Sequence, residues 1–600
     1  MKLTDYVADY LSRMGIKHVF GVTGGAIAHL FDSVSRLGKI QPIFHHHEQT
    51  AAFAAQAYTR ITENLGVAFV TTGPGGTNAI TGLSAAWLDS IPCLFISGQT
   101  RIEHTTHNKP IRQLGAQQLD IISIVKPLTK YAVLIEDPKT IRYHLEKAVY
   151  IARTGRPGPV WIDIPLNFQW ASIDPDTLSG FKPEGLEKLD STLRGDVKEC
   201  LRFISQAKRP LILAGHGIRL AHATEEFKEF ISISKIPFVS SWNASDILPT
   251  NHRCYIGRLG IAGQRGANLA VQNCDFLLVI GSHLSIPLSG TRYDVFAREA
   301  RKMIVDIDPV ELTHEAVKVD KRIQSDAKEF LKTILEEMKR DKIPSFNWWQ
   351  EKCLKFKTYN TIPKEWHKQK QYVNPYVFID VLSDELGTSD VIVVDGGGTV
   401  VYISFQAFRV KRGQRFILSS GLCAMGSGLP ESIGACFANN QKRTICFCGD
   451  GSMQFNIQEL QTIVHHKLPV KIIIFNNNGY LSIRHTQGEF LGNRFVGSQT
   501  KGGLSLPDYL KIAKAYGVSA VRIRNHMGMQ KKIKDFLKKK GPAICEIMIS
   551  PKQEVIPRLG FKKNPDGSHS GKPLEDMCPN LDRNEFLENM IVEPLPESKE

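Results

Sequence analysis

The sequence predicts an α/β protein made of three Rossmann-like parallel-sheet domains followed by a C-terminal arm. Three observations carry that prediction. A chain of 600 residues is too long for a single hydrophobic core. Short apolar strands alternate with helix-period stretches along most of it, the pattern of parallel sheets covered by helices. Polar, charged stretches near 175–195 and 340–370 interrupt the alternation and divide it into blocks.

The first block, 1–175, places strands at Val19–Gly21, Val67–Thr71, Cys93–Ser97 and Val160–Ile164. The second, 190–340, places them at Pro210–Gly215, Phe276–Gly281 and Met303–Asp308. The third, 370–550, has Val391–Asp395, Arg443–Cys448, Val470–Phe475 and Ala543–Ile549. The segment 340–370, rich in lysine and aromatics, reads as a linker. Residues 551–600 have little periodicity, but Phe561, Leu574, Met577, Leu581 and Phe586 are apolar anchors. They predict an ordered arm over the surface or mouth of the protein.

Composition narrows the class. A hydrophobic fraction of 42% and a charged fraction of 22% are those of an ordinary globular protein. No apolar run approaches the roughly 18 residues of a membrane span, and the first residues carry no signal-peptide pattern. Eleven cysteines are scattered through apolar strands with no CxxC pair, which predicts buried thiols in a reducing compartment, the cytoplasm. The net charge of +15 does not make a nucleic-acid protein, because the lysines are dispersed over helices and 526–540 without an aromatic-interleaved stripe.

The chemistry-bearing pattern lies in the third block. The strand Arg443–Cys448 runs into Gly449-Asp450-Gly451-Ser452, a helix is expected over Asn456–His466, and the strand Val470–Phe475 runs into Asn476-Asn477-Asn478-Gly479. Asp450 and Asn477 therefore sit at carboxyl ends of strands, where open α/β sheets bind ligands. A carboxylate, an amide oxygen and a backbone carbonyl are hard donors of the kind Mg²⁺ prefers. Gly449 and Gly451 allow the backbone to approach a diphosphate. Each motif alone is a common turn; their joint spacing on consecutive strands is not.

GDGS followed by NNNG resembles the signature of thiamine-diphosphate enzymes, and residues 1 to about 550 resemble the acetolactate synthase branch of that family. The resemblance implies pyrimidine-binding, central and diphosphate-binding domains, with thiamine diphosphate held through Mg²⁺ by Asp450, Asn477 and the carbonyl of Gly479. It also implies a carboxylate that hydrogen-bonds the cofactor's aminopyrimidine ring. Glu48, in Phe44-His45-His46-His47-Glu48, matches that position; by itself it would read as a helix N-terminal charge. The three histidines before it alternate faces of a strand and do not form a metal site, although His47 could serve as a proton relay.

Ser419-Ser420-Gly421-Leu422-Cys423-Ala424-Met425 resembles the loop that bends the cofactor. Met425 would be the wedge between its rings and the carbonyl of Gly421 would accept from its amino group; core filling is the other reading of Met425. Gly24, Gly25 and Gln99 match loops near the reacting carbon, with Gln99 hydrogen-bonding substrate. Because Glu48 and Asp450 lie in different domains, the resemblance implies an active site shared between subunits of a homodimer or homotetramer.

Two departures bear on the reaction. Where the synthases carry an Ala-Phe-Gln-Glu loop, this chain has Gly115-Ala116-Gln117-Gln118, and where they carry a tryptophan after the asparagines it has Thr486, beside His485. Both changes empty the acceptor pocket. The closing segment, Ser570–Met577, resembles carboligases of surface-polysaccharide pathways. The expectation is decarboxylation of pyruvate and transfer of its two-carbon unit to a nucleotide-linked 4-keto-deoxysugar; acetolactate synthesis is the alternative. A catalytically silent thiamine-fold scaffold is the third, set against intact Glu48, Asp450 and Asn477. In the central block Gly215, Gly217, Gly281 and Asp306 resemble the FAD-holding loops of acetolactate synthases, with His283 in place of their usual arginine. They imply a non-redox FAD site or an empty spacer.

Overall fold

Three six-stranded sheets, every strand pair of them parallel, form the scaffold in a computed structural model that describes residues 1–107, 109–183, 192–564 and 566–599. The first comprises β1 (His18–Gly21), β2 (Gln41–Phe44), β3 (Gly66–Val70), β4 (Cys93–Gln99), β5 (Tyr131–Leu134) and β6 (Val160–Pro165). The second comprises β7 (Pro210–Ala214), β8 (Phe238–Ser240), β9 (Tyr255–Arg258), β10 (Phe276–Ile280), β11 (Arg301–Asp306) and β12 (Lys321–Gln324). The third comprises β13 (Val391–Val394), β14 (Arg415–Leu418), β15 (Thr444–Gly449), β16 (Val470–Asn476), β17 (Ser519–Ile523) and β18 (Ala543–Met548). Central strands such as β3, β4, β6 and β15 are buried along their whole length, which is why they read as continuous apolar runs.

The first and third sheets are wound identically. Their orders are β2-β1-β3-β4-β6-β5 and β14-β13-β15-β16-β18-β17. The helix Glu48–Thr62 after β2 is therefore the counterpart of the helix Gly428–Ala438 after β14, and the two pack on each other. Gly434 makes this possible: a Cβ there would stand 2.0 Å from the carbonyl oxygen of Ala54. Three of the apolar cores cross domain limits, one running from the central sheet into the third and two from the first into the third.

Two expectations are corrected. Residues 340–370 are not simply a linker, because Asn347–Lys357 is a helix docked on the central sheet. Trp349, Cys353 and Phe356 recur on one face and are fully buried, and the Trp349 indole donates to the carbonyl of Pro210 at 2.9 Å. Exposed Trp348 and the interleaved lysines concealed that stripe. The helix expected over Asn456–His466 runs from Ile457 to His465, and its first turn, Ile457–Glu459, is 3-10 rather than α. Asn456 stands at its N-cap, and its side-chain amide donates to Gly426 O (2.7 Å) and Gln49 Oε1 (3.1 Å). Part of the 175–195 stretch, residues 184–191, lies outside the described residues.

The arm is ordered and crosses the central domain. Arg265 donates to the carbonyls of Met577 and Pro579, Gln272 to Glu575, and Arg298 pairs with Glu575 at 2.7 Å. Leu574, Met577 and Phe586 are its buried anchors. A hairpin, β19 (Phe561–Lys563) with β20 (His569–Gly571), reaches Phe490 at the end of the helix Leu481–Phe490, where the His569 ring lies 5.0 Å away.

Inside the helix pair, Gln56 Nε2 donates to Glu431 Oε1 at 2.9 Å, whereas Glu431 Oε2 and Gln56 Oε1 have no partner. Burial drives the Glu431 pKa far up, so the folded chain holds a proton that the unfolded chain releases above the ordinary carboxylate range. Stability from this group is full below that range and falls as pH rises. Glu431→Gln, neutral at every pH, is expected to raise the thermal midpoint at pH 8 by about 2 °C or more and to flatten its decline with pH, as read by calorimetry.

Candidate active site

In the third sheet the chain reverses its winding between β13 and β15, so the loops after these strands flank one crevice. Asp450 opens the one-turn helix Asp450–Met453 directly after β15 and is buried. Its carboxylate accepts from the amides of Gly451, Asn477 and Gly479 at 3.0–3.1 Å and from Asn477 Nδ2 at 3.1 Å. Burial pushes its pKa up to about 7, opposed by those amides. No basic side chain among the described residues hydrogen-bonds to it, and Arg484, which acts on it through charge, is held instead by Asn477 Oδ1. A buried carboxylate with no direct ion-pair partner suits a cation.

Asn477 needs one adjustment to serve. Its Nδ2 faces Asp450 while its Oδ1 accepts from Arg484 at 2.7 Å, so ligation by the amide oxygen requires the side chain to turn over. Gly479, at φ 142°, lies against the Ser498 carbonyl, where a Cβ would come within 2.2 Å. A Cβ on Gly451 would strike the Tyr480 ring. Among the described residues no cluster of three or more His, Cys, Asp or Glu side chains is placed to hold a metal. A cation here would rest on one carboxylate with amide and carbonyl oxygens.

Met425 faces the same crevice. A Cβ on Gly397 would lie 2.6 Å from Met425 Cγ and 2.6 Å from Ser452 Oγ, so Gly397 keeps open a concavity between them. Met425 is half-buried rather than core filler. The sequence reading named Met425 and Ser452 but missed Gly397 and, beside it, Asp395. Asp395 closes β13 and accepts from the amides of Gly397 and Gly428 at 2.9 and 3.0 Å, with a pKa raised by burial to about 6. Its signal was the run Asp395-Gly396-Gly397-Gly398 at the end of a buried strand. Gly421 stands apart from this crevice. Its amide donates to Asp89 Oδ1 at 2.9 Å, and it lines the central cavity described below.

The corresponding crevice of the first sheet lies between β1 and β3. Gly24 follows β1, and a Cβ there would meet Thr71 within 2.8 Å; Gly25 faces open space. Glu48 opens its helix, buried, with Oε2 accepting from Asn78 at 2.9 Å and Oε1 beside Gly75. His47 Nδ1 caps this helix by accepting from the amide of Gln49, whereas His45 is buried and His46 exposed. Gln99 is held by every polar atom it has. Nε2 donates to Leu119 O and Asp163 Oδ2, and Oε1 accepts from Thr72 Oγ1 and the amide of Thr100. In this arrangement it has no capacity left for substrate and instead supports the neighbouring loop.

That loop carries Ala116 and Gln117, both exposed, with the Gln117 carbonyl packed on Gly73. On the third domain Thr486 is exposed, and His485 is half-buried beside the backbone of Gln553 with its pKa lowered by burial. Within one chain Asn456 ties the two halves at their edges, holding Gln49 Oε1 beside Glu48 and Gly426 O beside Met425. Among the described residues no hydrogen bond joins the group Gly24, Glu48, Asn78 and Gln99 to Asp450, Asn477 or Met425.

A cavity of about 480 Å³ lies between the central domain and the other two. Gly217, Gly281, His283 and Asp306 line it from the central sheet, Arg153 and Arg156 from the first domain, and Tyr402, Gly421 and Cys423 from the third. Gly215 does not line it. It stands behind Gly281, where a Cβ would meet the Gly281 carbonyl at 2.0 Å. Burial raises the pKa of Asp306, at the carboxyl end of β11. The volume, the glycine turns and the acidic strand end fit a dinucleotide.

Comparison with known proteins follows the same three-part division. Residues 1–124 match the thiamine pyrophosphate enzyme N-terminal TPP binding domain, 197–334 the central domain and 396–547 the C-terminal TPP binding domain. The chain is 32% identical to the acetolactate synthase large subunit of Porphyra purpurea, with 93% of each chain covered. It is 31% identical to that of Lactococcus lactis subsp. lactis (strain IL1403), with 95% of each covered. A probable acetolactate synthase large subunit from Methanocaldococcus jannaschii is 32% identical over 93% of each. Identical winding of two sheets, crevices at their reversal points and a match running nearly end to end lead to one statement: the chain belongs to the thiamine-pyrophosphate-dependent enzymes, in their acetolactate-synthase-like family.

Proposed function

We propose that the chain decarboxylates pyruvate and joins the two-carbon unit to a carbonyl acceptor larger than pyruvate, a nucleotide-activated 4-keto-deoxysugar of surface-polysaccharide synthesis. The observation that carries the acceptor is the small, exposed character of Ala116 and Thr486, where the resemblance expects an aromatic and a tryptophan. Removing both leaves room and a hydroxyl suited to a polyol. Acetolactate synthesis is the second reading, supported by the names of the relatives.

Thiamine diphosphate, when bound, supplies the electron sink for loss of CO₂. The chain's own groups do the rest. Asp450, Asn477 and the Gly479 carbonyl would hold Mg²⁺ and with it the diphosphate, and Gly397, Met425 and Ser452 would form the wall against which the cofactor rests. Glu48 faces the aminopyrimidine and holds a proton at its ring nitrogen, with its orientation fixed by Asn78. Two chains supply one site, Glu48 from one and Asp450 from the other, in a homodimer or a pair of such dimers, as the family resemblance implies. The central cavity would hold FAD without redox work, with Asp306, Arg153 and Arg156 among the residues that would bind it. The enzyme works in the cytoplasm, a reading supported by eleven unpaired cysteines and by the lack, among the described residues, of a helix able to cross a membrane.

Metal loading has a pH signature. Mg²⁺ requires the Asp450 carboxylate, so cofactor retention is expected to weaken as pH falls below about 7, and Asp450→Ala to lose at least about 100-fold in Mg²⁺-dependent cofactor affinity, both by titration calorimetry. Flavin released from purified protein on denaturation should be fluorescent, and Asp306→Ala should lower flavin affinity by about tenfold or more. The acceptor is decided by mass spectrometry of pyruvate reactions with and without a CDP- or TDP-linked 4-keto-6-deoxysugar. Addition of a two-carbon unit to the sugar is expected, and Ala116→Phe should suppress it relative to acetolactate. Acetolactate as the only product would overturn the sugar assignment.

A further inference from the structure

Directly after the metal-side loop, Glu459 is buried and reaches out of its own domain. Its two oxygens accept from His45 Nδ1 (2.9 Å), the His46 amide (2.9 Å), Thr50 Oγ1 (2.8 Å) and Thr462 Oγ1 (2.7 Å). Three of those four donors belong to the first domain and flank Glu48 on both sides in sequence. Burial alone would raise the Glu459 pKa, but the hydrogen bond and charge of His45, with Thr462 and the His46 amide, hold it down at about 2. A second tether runs beside it: Asn456, three residues earlier, holds Gln49 Oε1 at 3.1 Å and Gly426 O at 2.7 Å. Between them these residues fix positions 45, 46, 49 and 50, which leaves the first turn carrying Glu48 little freedom to move. Neither Glu459 nor Asn456 was singled out by the sequence reading.

We infer that Glu459 is a positioning residue for Glu48, holding the start of its helix where the carboxylate can meet the aminopyrimidine ring. The inference rests on the reading of Glu48 given above. Its physical basis is the sensitivity of proton transfer to placement: a shift of about 1 Å in a catalytic group can cost about 100-fold. Four charge-assisted hydrogen bonds to one carboxylate make a stiff clamp. The single hydroxyl proton of Thr50 is shared between Glu459 Oε1 and the His47 carbonyl, 2.5 Å away. The clamp is built within one chain, so the segment that begins at Asp450 in one half-site orients the Glu48 that serves another cofactor.

The test is the rate of hydrogen–deuterium exchange at the cofactor's C2, followed by proton NMR on the full-length enzyme loaded with Mg²⁺ and thiamine diphosphate. Glu459→Gln keeps the shape of the side chain but faces the His45 and His46 donors with an amide group. It is expected to slow exchange at least about tenfold while cofactor affinity and the thermal midpoint stay near those of the parent. Thr50→Val, which removes one donor, should give a smaller slowing and serves if Glu459→Gln folds poorly. Glu48→Gln separates the two layers. Exchange abolished in Glu48→Gln but unchanged in Glu459→Gln and Thr50→Val would overturn the positioning role alone. Unchanged exchange in Glu48→Gln would overturn the assignment of Glu48 and this inference with it.

Discussion

The contact between the helix Glu48–Thr62 and the helix Gly428–Ala438 governs how everything else is placed. Each follows the second strand in sequence of its own sheet, and the sheets share one winding, so the contact relates two equivalent halves. It is close because it is made by small residues. Gly434 sits on the backbone of Ala54, and Ala51, Ala52, Ala54, Ala55 and Ala57 of the facing helix are all buried. Helices that approach this closely transmit position from backbone to backbone, without long side chains to absorb a shift. The N-terminus of the first helix carries Glu48, and the loop entering the second carries Met425.

Around that contact the chain buries several carboxylates and stabilises them in different ways. Asp395 and Asp450 are held mainly by backbone amides at strand ends, and burial still leaves their pKa values raised. Asp163 is held by Ser97 and Gln99, with its pKa raised to about 7 by burial. Glu459 alone in this set faces an imidazole, and its pKa is lowered. Amides supply dipoles, which only partly offset desolvation; a partner able to carry charge does more. The two carboxylates at the metal-side crevice are thus left short of positive charge, whereas the one that grips the Glu48 helix is complete.

The paired crevices explain why the candidate residues are so far apart in sequence. Ligands of open α/β sheets sit where strand order reverses. In the first sheet that point gathers Gly24, Gly25, Thr71 and Gly75, and in the third Asp395, Gly397, Gly449 and Asp450. The glycines recur because a Cβ would fill the crevice or strike the opposite loop, as at Gly397 and Gly451.

Much of this was legible without coordinates. Central strands betray themselves as unbroken apolar runs because both faces are covered, and Gly449–Ser452 with Asn476–Gly479 announce themselves because strand ends need glycine for close approach. The edge strand β12 and the docked helix Asn347–Lys357 were hidden, since their burial is one-sided and their exposed residues dilute the pattern, and β9, buried throughout, was hidden because Gly257 and Arg258 interrupt its apolar run. Local chemistry written in neighbouring residues could be read from the chain alone: the strand ends, the turns, the acidic and amide donors. Packing decided the rest. That Gln99 is saturated, that Asn456 holds Gln49 from the start of its helix, and that Glu459 reaches across to His45 and Thr50 all depend on which distant atoms the fold brings within hydrogen-bond distance. No spacing along the chain encodes that distance.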